Sequence, residues 1–269
     1  MHIQLLLLVG VALLLSVLQL CNCSNISQYT KCSKNFECGN EAYSYPFWGG
    51  ERPFYCGENV FELGCRNSHT EIKMYDATYI VLNISKADQI MTIVRSDVRD
   101  IGLGSSQCPS AFLNDSLATS YKHDYVPQDT FAYGSGTREL TLFYGCPFVV
   151  LYNSGGFRCE DQVNSTRINL YLQAESGPRE ENLNTSKCQG SILIPVRPSS
   201  AHRSSIDILA DGFDVKYYDR YYSLCVNCTE SGGSCGASEN RDNSFHCYCH
   251  DGTSQRTCPP PGTYIHSVS

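Results

Sequence analysis

Fourteen cysteines standing behind an apolar leader constrain this chain more than any other feature: Cys32, Cys38, Cys56, Cys65, Cys108, Cys146, Cys159, Cys188, Cys225, Cys228, Cys235, Cys247, Cys249 and Cys258. An even set of this size persists as disulfides only in an oxidising compartment, and it belongs to small domains whose cores need covalent support. The framework divides unevenly. Four cysteines lie in the first third of the chain, six in the last 34-residue cluster, and Cys108, Cys146, Cys159 and Cys188 between them. Since the first four are already even, Cys108 is expected to bridge to Cys146, Cys159 or Cys188.

The leader, Leu5 to Leu18 within residues 1–23, falls short of the ~18–20 apolar residues of a membrane helix and sits where a secretory signal belongs. Cleavage after Cys23 would remove Cys21 and Cys23 and leave the even fourteen. Six acceptor sequons, at Asn25, Asn83, Asn114, Asn164, Asn184 and Asn227, agree with a secreted, glycosylated chain. The expected location is the extracellular space or cell wall, membrane-tethered only if a longer form exists or the leader is retained. The tail, 259–269, is too polar for a lipid-anchor signal.

Composition bounds the architecture further. Eighteen tyrosines and eleven phenylalanines against one tryptophan, with abundant Gly and Ser/Thr, favour strands over helices. The fold class expected is mainly β: two small disulfide-rich β domains with short helices. Strand patterns occur at Glu71–Tyr75, Tyr79–Ile84, Gln89–Arg95, Glu139–Cys146, Val149–Tyr152 and Ile192–Val196, while Ile206–Leu209 suits a short helix or a strand. A turn-rich stretch separates the halves. The chain is therefore divided into a cysteine-rich domain at 24–105, a connecting region at 106–138 and a second cysteine-rich domain at 139–258. Acidic and basic residues are interspersed with a net charge of −7, which disfavours nucleic acid as a partner.

The last cluster, Cys225-x2-Cys228-x6-Cys235-x11-Cys247-x-Cys249-x8-Cys258, is too short to surround a core of its own, so bridges must hold it. Its C-x-C-x8-C ending has the spacing of an epidermal-growth-factor-like module, but the first gap is too short for the whole pattern. Only Asp219 precedes it as an acid, so calcium is not indicated. His246-Cys247-Tyr248-Cys249-His250 would suit zinc in a cytosolic protein; behind a leader, disulfides take precedence. No metal and no cofactor are expected.

Cys38-Gly39-Asn40, Tyr45-Pro46-Phe47-Trp48, Pro53-Phe54-Tyr55-Cys56-Gly57, Phe61-Glu62-Leu63-Gly64-Cys65 and Arg95-Ser96-Asp97 closely resemble the galacturonan-binding domain of plant wall-associated receptor kinases. The second half, through Leu142-Phe143-Tyr144-Gly145-Cys146, Leu209-Ala210-Asp211-Gly212-Phe213, Cys225-Val226-Asn227-Cys228, Ser231-Gly232-Gly233-Ser234-Cys235-Gly236 and Phe245-His246-Cys247-Tyr248-Cys249, resembles the C-terminal domain of the same ectodomains. Leaf-rust-resistance-like receptor kinases are the nearest group by this likeness. Asn59 replaces a usual proline, and Tyr217 a common tryptophan. The relatives continue into a membrane span and a kinase, so the chain resembles an ectodomain without its receptor.

Kinase chemistry is not expected. Gly102-Leu103-Gly104-Ser105-Ser106-Gln107 is a broken glycine loop with no strand lysine after it, and Asp211-Gly212-Phe213 has the order wrong for the magnesium-binding triplet. The resemblance implies instead a pectin-like polygalacturonate ligand, with salt-sensitive affinity. A polyanion needs placed cations and flat amphipathic side chains. Arg52, Arg66 and Lys73 are the candidate cations, Arg52 and Arg66 being expected at the surface beside turns; Tyr45, Trp48 and Tyr55 are the candidate aromatics. Over 24–105 acids outnumber bases by ten to eight, so only a local basic patch would serve. Competing expectations place Tyr45-Pro46-Phe47-Trp48 in the core beside the cystines, and pair Arg95 with Asp97 structurally. The rival function is a peptide or co-receptor interaction module, or a decoy without carbohydrate binding. A hydrolase would need two close carboxylates in one cleft.

Overall fold

The computed structural model describes residues 28–74, 77–96, 98–99, 108, 130–147, 157–160, 167–173, 185–197, 205–240, 242 and 244–260. The leader, the sequons Asn25, Asn114, Asn164 and Asn184, the strand pattern Val149–Tyr152, the broken glycine loop and Asp97 lie outside the described residues, as does most of the 106–138 connection.

Strands dominate. In chain order they are β1 (Phe36–Cys38), β2 (Glu41–Tyr43), β3 (Leu63–Arg66), β4 (His69–Met74), β5 (Ala77–Ser85), β6 (Ile90–Arg95), β7 (Phe131–Tyr133), β8 (Arg138–Tyr144), β9 (Phe157–Glu160), β10 (Arg167–Gln173), β11 (Gly190–Val196), β12 (Phe213–Tyr217), β13 (Ser234–Ala237), β14 (Phe245–Cys249) and β15 (Gly252–Ser254). The helices α1 (Ser205–Ala210) and α2 (Tyr222–Glu230) are short. The fourteen cysteines form seven disulfides: 32–56, 38–65, 108–159, 146–188, 225–235, 228–247 and 249–258. Cys108 thus takes Cys159, one of the three partners its position left open.

The chain divides into two compact units that do not succeed one another in sequence. One comprises Met1–Thr70 together with Asp219–Ser269, the other Glu71–Tyr218. The linear division at 24–105 and 139–258 therefore differs from the spatial one, because the first four cysteines and the last six share a unit.

The first unit shows why. Buried side chains of its two segments pack against one another. Tyr45 packs among Cys228, Cys235, Phe245, Cys247 and Cys249, with Leu224 and Cys258 against them. Tyr55 packs with Cys32, Cys56 and Tyr248. The ring pairs Tyr45–Phe245 and Tyr55–Tyr248 meet edge to face at 6.0 and 6.1 Å, the arrangement ring quadrupoles favour. Two bridges pin α2 to the β13–β14–β15 sheet, Cys225–Cys235 and Cys228–Cys247, and Cys249–Cys258 ties down the chain beyond β15. The sulfurs of Cys247, Cys249 and Cys258 lie within 4.8 Å of one another. All three are bonded in disulfides, so none is available as a thiolate for zinc.

In the second unit, β4, β5, β6, β12 and β7 form consecutive antiparallel pairs, with Val81 opposite Ile93 and Ile93 opposite Phe213. A second sheet runs β11-β8-β10-β9. Along β8, Leu140, Leu142 and Tyr144 are buried and alternate with partly exposed neighbours, the period-two pattern of a half-buried strand. Asp211-Gly212-Phe213 has a purely structural use here. Gly212 adopts φ +67° after α1, and a Cβ there would lie 2.1 Å from the Ile93 carbonyl oxygen, so only glycine permits the turn into β12.

Candidate functional site

The first unit contains an open groove of about 660 Å³, built around a tight reversal of the chain. Gly49 and Arg52 exchange backbone hydrogen bonds of 3.0 Å in both directions, and Trp48 is tied to the strand opposite through Leu63 N–H to Trp48 O at 2.7 Å. Gly49, at φ +140°, lies so close to Leu63 that an added Cβ would sit 2.0 Å from its carbonyl oxygen. The reversal is thereby fixed, and it carries Trp48 to the groove.

Trp48, Pro53 and Phe54 give the groove its apolar surface, Gly49 and Gly50 its backbone surface, and Asn59 and Glu62 its polar side chains, with Arg52 completing the lining. The Trp48 and Phe54 rings meet edge to face at 6.5 Å. Trp48 is partly exposed, but its orientation is held: its indole N–H donates to the Glu58 carbonyl at 2.8 Å.

Arg52 corrects the expectation drawn from its place beside a turn. It is not a surface cation; it is 1% exposed. Its guanidinium donates to the carbonyls of Phe47 at 2.9 Å and Cys56 at 2.6 Å, and also to those of Cys32 and Lys34. One arginine fork, rich in N–H donors, thus satisfies backbone oxygens from three separate stretches of chain. Burial lowers its pKa to about 10, which leaves it charged at neutral pH. Tyr45 and Tyr55 are likewise removed from any ligand, at 2% and 9% exposure; the expectation that the first packs beside the cystines describes its place better than stacking on sugar. Arg66 is exposed on β3. Lys73 is exposed on β4 and belongs to the other unit. Neither lines the groove, so of the six candidate residues only Trp48 and the inward-turned Arg52 do.

Phe54, Asn59 and Glu62 were not singled out from the sequence. A polyanionic ligand calls for cations, which Glu62 is not, and in the sequence Asn59 stands out only where a proline is usual.

A close carboxyl pair also exists in this unit. The side chain of Glu58 is hydrogen-bonded to that of Asp219 and accepts from the Tyr45 hydroxyl at 3.2 Å. Burial, reinforced by the Asp219 charge, pushes Glu58 up to about 8. Neither carboxyl lines the groove. Of the described sequons, Asn83 on β5 and Asn227 on α2 are exposed.

Comparison with known proteins places these features in a family. Residues 32–95 match the model described as wall-associated receptor kinase galacturonan-binding, and residues 158–252 that described as wall-associated receptor kinase C-terminal. The groove falls inside the first match. Among curated proteins of Arabidopsis thaliana, the leaf rust 10 disease-resistance locus receptor-like protein kinase-like 2.1 is 25% identical over 94% of this chain and 39% of its own length. The like 1.3 protein is 31% identical over 78% of this chain and 28% of its own length. The chain thus spans well under half of the relatives it matches, and no kinase domain is found in its 269 residues. No solved structure matches. Among the described residues, no helix is long and apolar enough to cross a membrane. With both of their extracellular domain models matched, the chain belongs to the ectodomain family of the wall-associated and leaf-rust-10-type receptor-like kinases.

Proposed function

We propose that this chain is an extracellular glycan-binding ectodomain in cell-wall sensing or defence, and that the Trp48 groove receives a pectin-class polysaccharide. The observation that carries the reading is the pairing, within the galacturonan-binding match, of a held and partly exposed indole with the Asn59 and Glu62 side chains. Apolar ring faces receive the C–H face of a pyranose, and a few placed polar groups set its orientation. Secretion and glycosylation at Asn83 and Asn227 accompany this role.

Retention of the full chain on pectin gels tests it. The wild type is retained, and Trp48→Ala loses binding by at least about tenfold, roughly 1.4 kcal/mol, while its disulfides and circular dichroism stay unchanged. A wild type that passes unretarded through pectin of every degree of esterification would remove the polysaccharide reading. In that event the peptide-binding alternative takes its place.

A further inference from the structure

We propose that the Cys249–Cys258 bridge is a thiol-exchange site, and that a thiolate freed at Cys258 passes the exchange on to the Cys228–Cys247 bridge. The modifying partner is an external thiol of the glutathione class.

The two disulfides meet sulfur to sulfur. The Sγ atoms of Cys247 and Cys258 belong to different bridges and stand 3.7 Å apart. A bonded pair sits at about 2.05 Å, so a movement of roughly 0.8 Å by each sulfur would join them. Gly233 keeps the space for this approach. An added Cβ there would lie 2.5 Å from Cys247 Sγ and 2.7 Å from the Sγ atoms of both Cys228 and Cys258, so any other residue would wedge the bridges apart. Cys258 is also positioned through its backbone. Its N–H donates to the Ser231 hydroxyl at 2.7 Å, and that hydroxyl donates to the Cys228 carbonyl at 2.8 Å. These bonds tie Cys258 to the end of α2, the helix that carries Cys228.

Exposure orders the steps. Cys228, Cys247 and Cys249 are 0%, 0% and 3% exposed, whereas Cys258 is partly exposed. An external thiolate therefore attacks the Cys258 sulfur, forms a mixed disulfide there and expels Cys249 as a thiolate. A second external thiolate attacks the outer sulfur of that mixed disulfide, departs as the oxidised dimer and releases Cys258 as a thiolate. The Cys258 thiolate then attacks Cys247 Sγ, and the breaking bond leaves its electron pair on Cys228. In sum, two external thiols are oxidised to their disulfide, one protein disulfide is reduced, and the two thiol protons end on Cys228 and Cys249. The chain then holds a Cys247–Cys258 bridge. Of the two bridges from α2 to its sheet, only Cys225–Cys235 remains, and the change falls against Tyr45, which packs on Cys228 and Cys247.

Brief exposure of the folded full chain to glutathione, followed by acid quenching, alkylation and non-reducing peptide mapping, tests the proposal. The expected product carries a Cys247–Cys258 link with Cys228 and Cys249 alkylated, and it forms at a rate that rises about tenfold per pH unit below a thiol pKa of about 8.5. Cys249→Ser, which leaves Cys258 without its partner, is expected to give the same link with no added thiol and to be alkylated at Cys228 in place of Cys258. Alkylation confined to Cys249 and Cys258, with Cys228–Cys247 intact, overturns the transfer between bridges. A Cys249–Cys258 bridge that opens only when the chain is denatured overturns the exchange site itself. The wild-type map decides between these results even where the variant fails to fold.

Discussion

Arg52 binds its surroundings through backbone oxygens rather than through a carboxylate. The carbonyls of Cys32, Lys34, Phe47 and Cys56 converge on one guanidinium, and the first and last of these belong to the two half-cystines of a single bridge. Removing the side chain leaves buried oxygens without donors. Arg52→Ala should therefore cost about 3–5 kcal/mol in denaturant unfolding, and Arg52→Lys less, since an ammonium keeps the charge with fewer donors. An alanine variant within about 0.5 kcal/mol of wild type would show that the convergence is not a structural tie. The residue also marks a limit of sequence reading. Proximity to turns and cysteines places an arginine near the surface without saying which way its side chain points. Within Tyr45-Pro46-Phe47-Trp48 the core and ligand-stacking expectations competed, and the structure buries the first three residues while leaving Trp48 partly exposed. The inward turn of Arg52 depends on oxygens supplied by residues up to 20 positions away.

Strands were the legible elements. The patterns at Glu71–Tyr75, Tyr79–Ile84, Gln89–Arg95, Glu139–Cys146 and Ile192–Val196 coincide with β4, β5, β6, β8 and β11 within a residue or two, since alternation and β-branched runs are local properties. Ile206–Leu209, open between helix and strand, lies in α1, where four apolar or acidic residues are too few to distinguish the two periods. The turn after α1 has no period at all. At Gly212 it depends on the close approach of β6, and Gly212→Ala should lower stability by about 2–3 kcal/mol through the left-handed backbone and the contact with Ile93 O. An unchanged melting temperature for that variant would contradict this role. The cystine counts carried further than the strand patterns: parity alone set Cys108 apart from the first four, because a bridge must take two.

At the scale of the whole molecule, the shared core of Met1–Thr70 and Asp219–Ser269 was beyond the reach of local patterns. Nothing in Tyr45-Pro46-Phe47-Trp48 states that its partner is Phe245, in the far end of the chain. One consequence is a pH dependence located where the two segments meet. Glu58 faces Asp219, the Tyr45 hydroxyl and Arg220, with Tyr221 beside the same hydroxyl. In the unfolded chain its carboxyl releases its proton near 4.5, in the folded chain near 8, so folding takes up a proton between these values. Stability should then fall as pH rises through that window and level off above it. Glu58→Gln should flatten the profile, and a melting temperature that rises with pH across the same range would contradict it. The family match associates galacturonan binding with this region; under the proposed assignment to the groove one reporter watches it, for Trp48 is the only tryptophan in the sequence. Titrating the full chain with pectin oligomers while recording its emission is the most direct test. A saturable change in intensity and wavelength, with the same midpoint as binding measured calorimetrically, is the predicted result. Tight binding that leaves the emission untouched would place the ligand elsewhere and contradict the assignment of the groove.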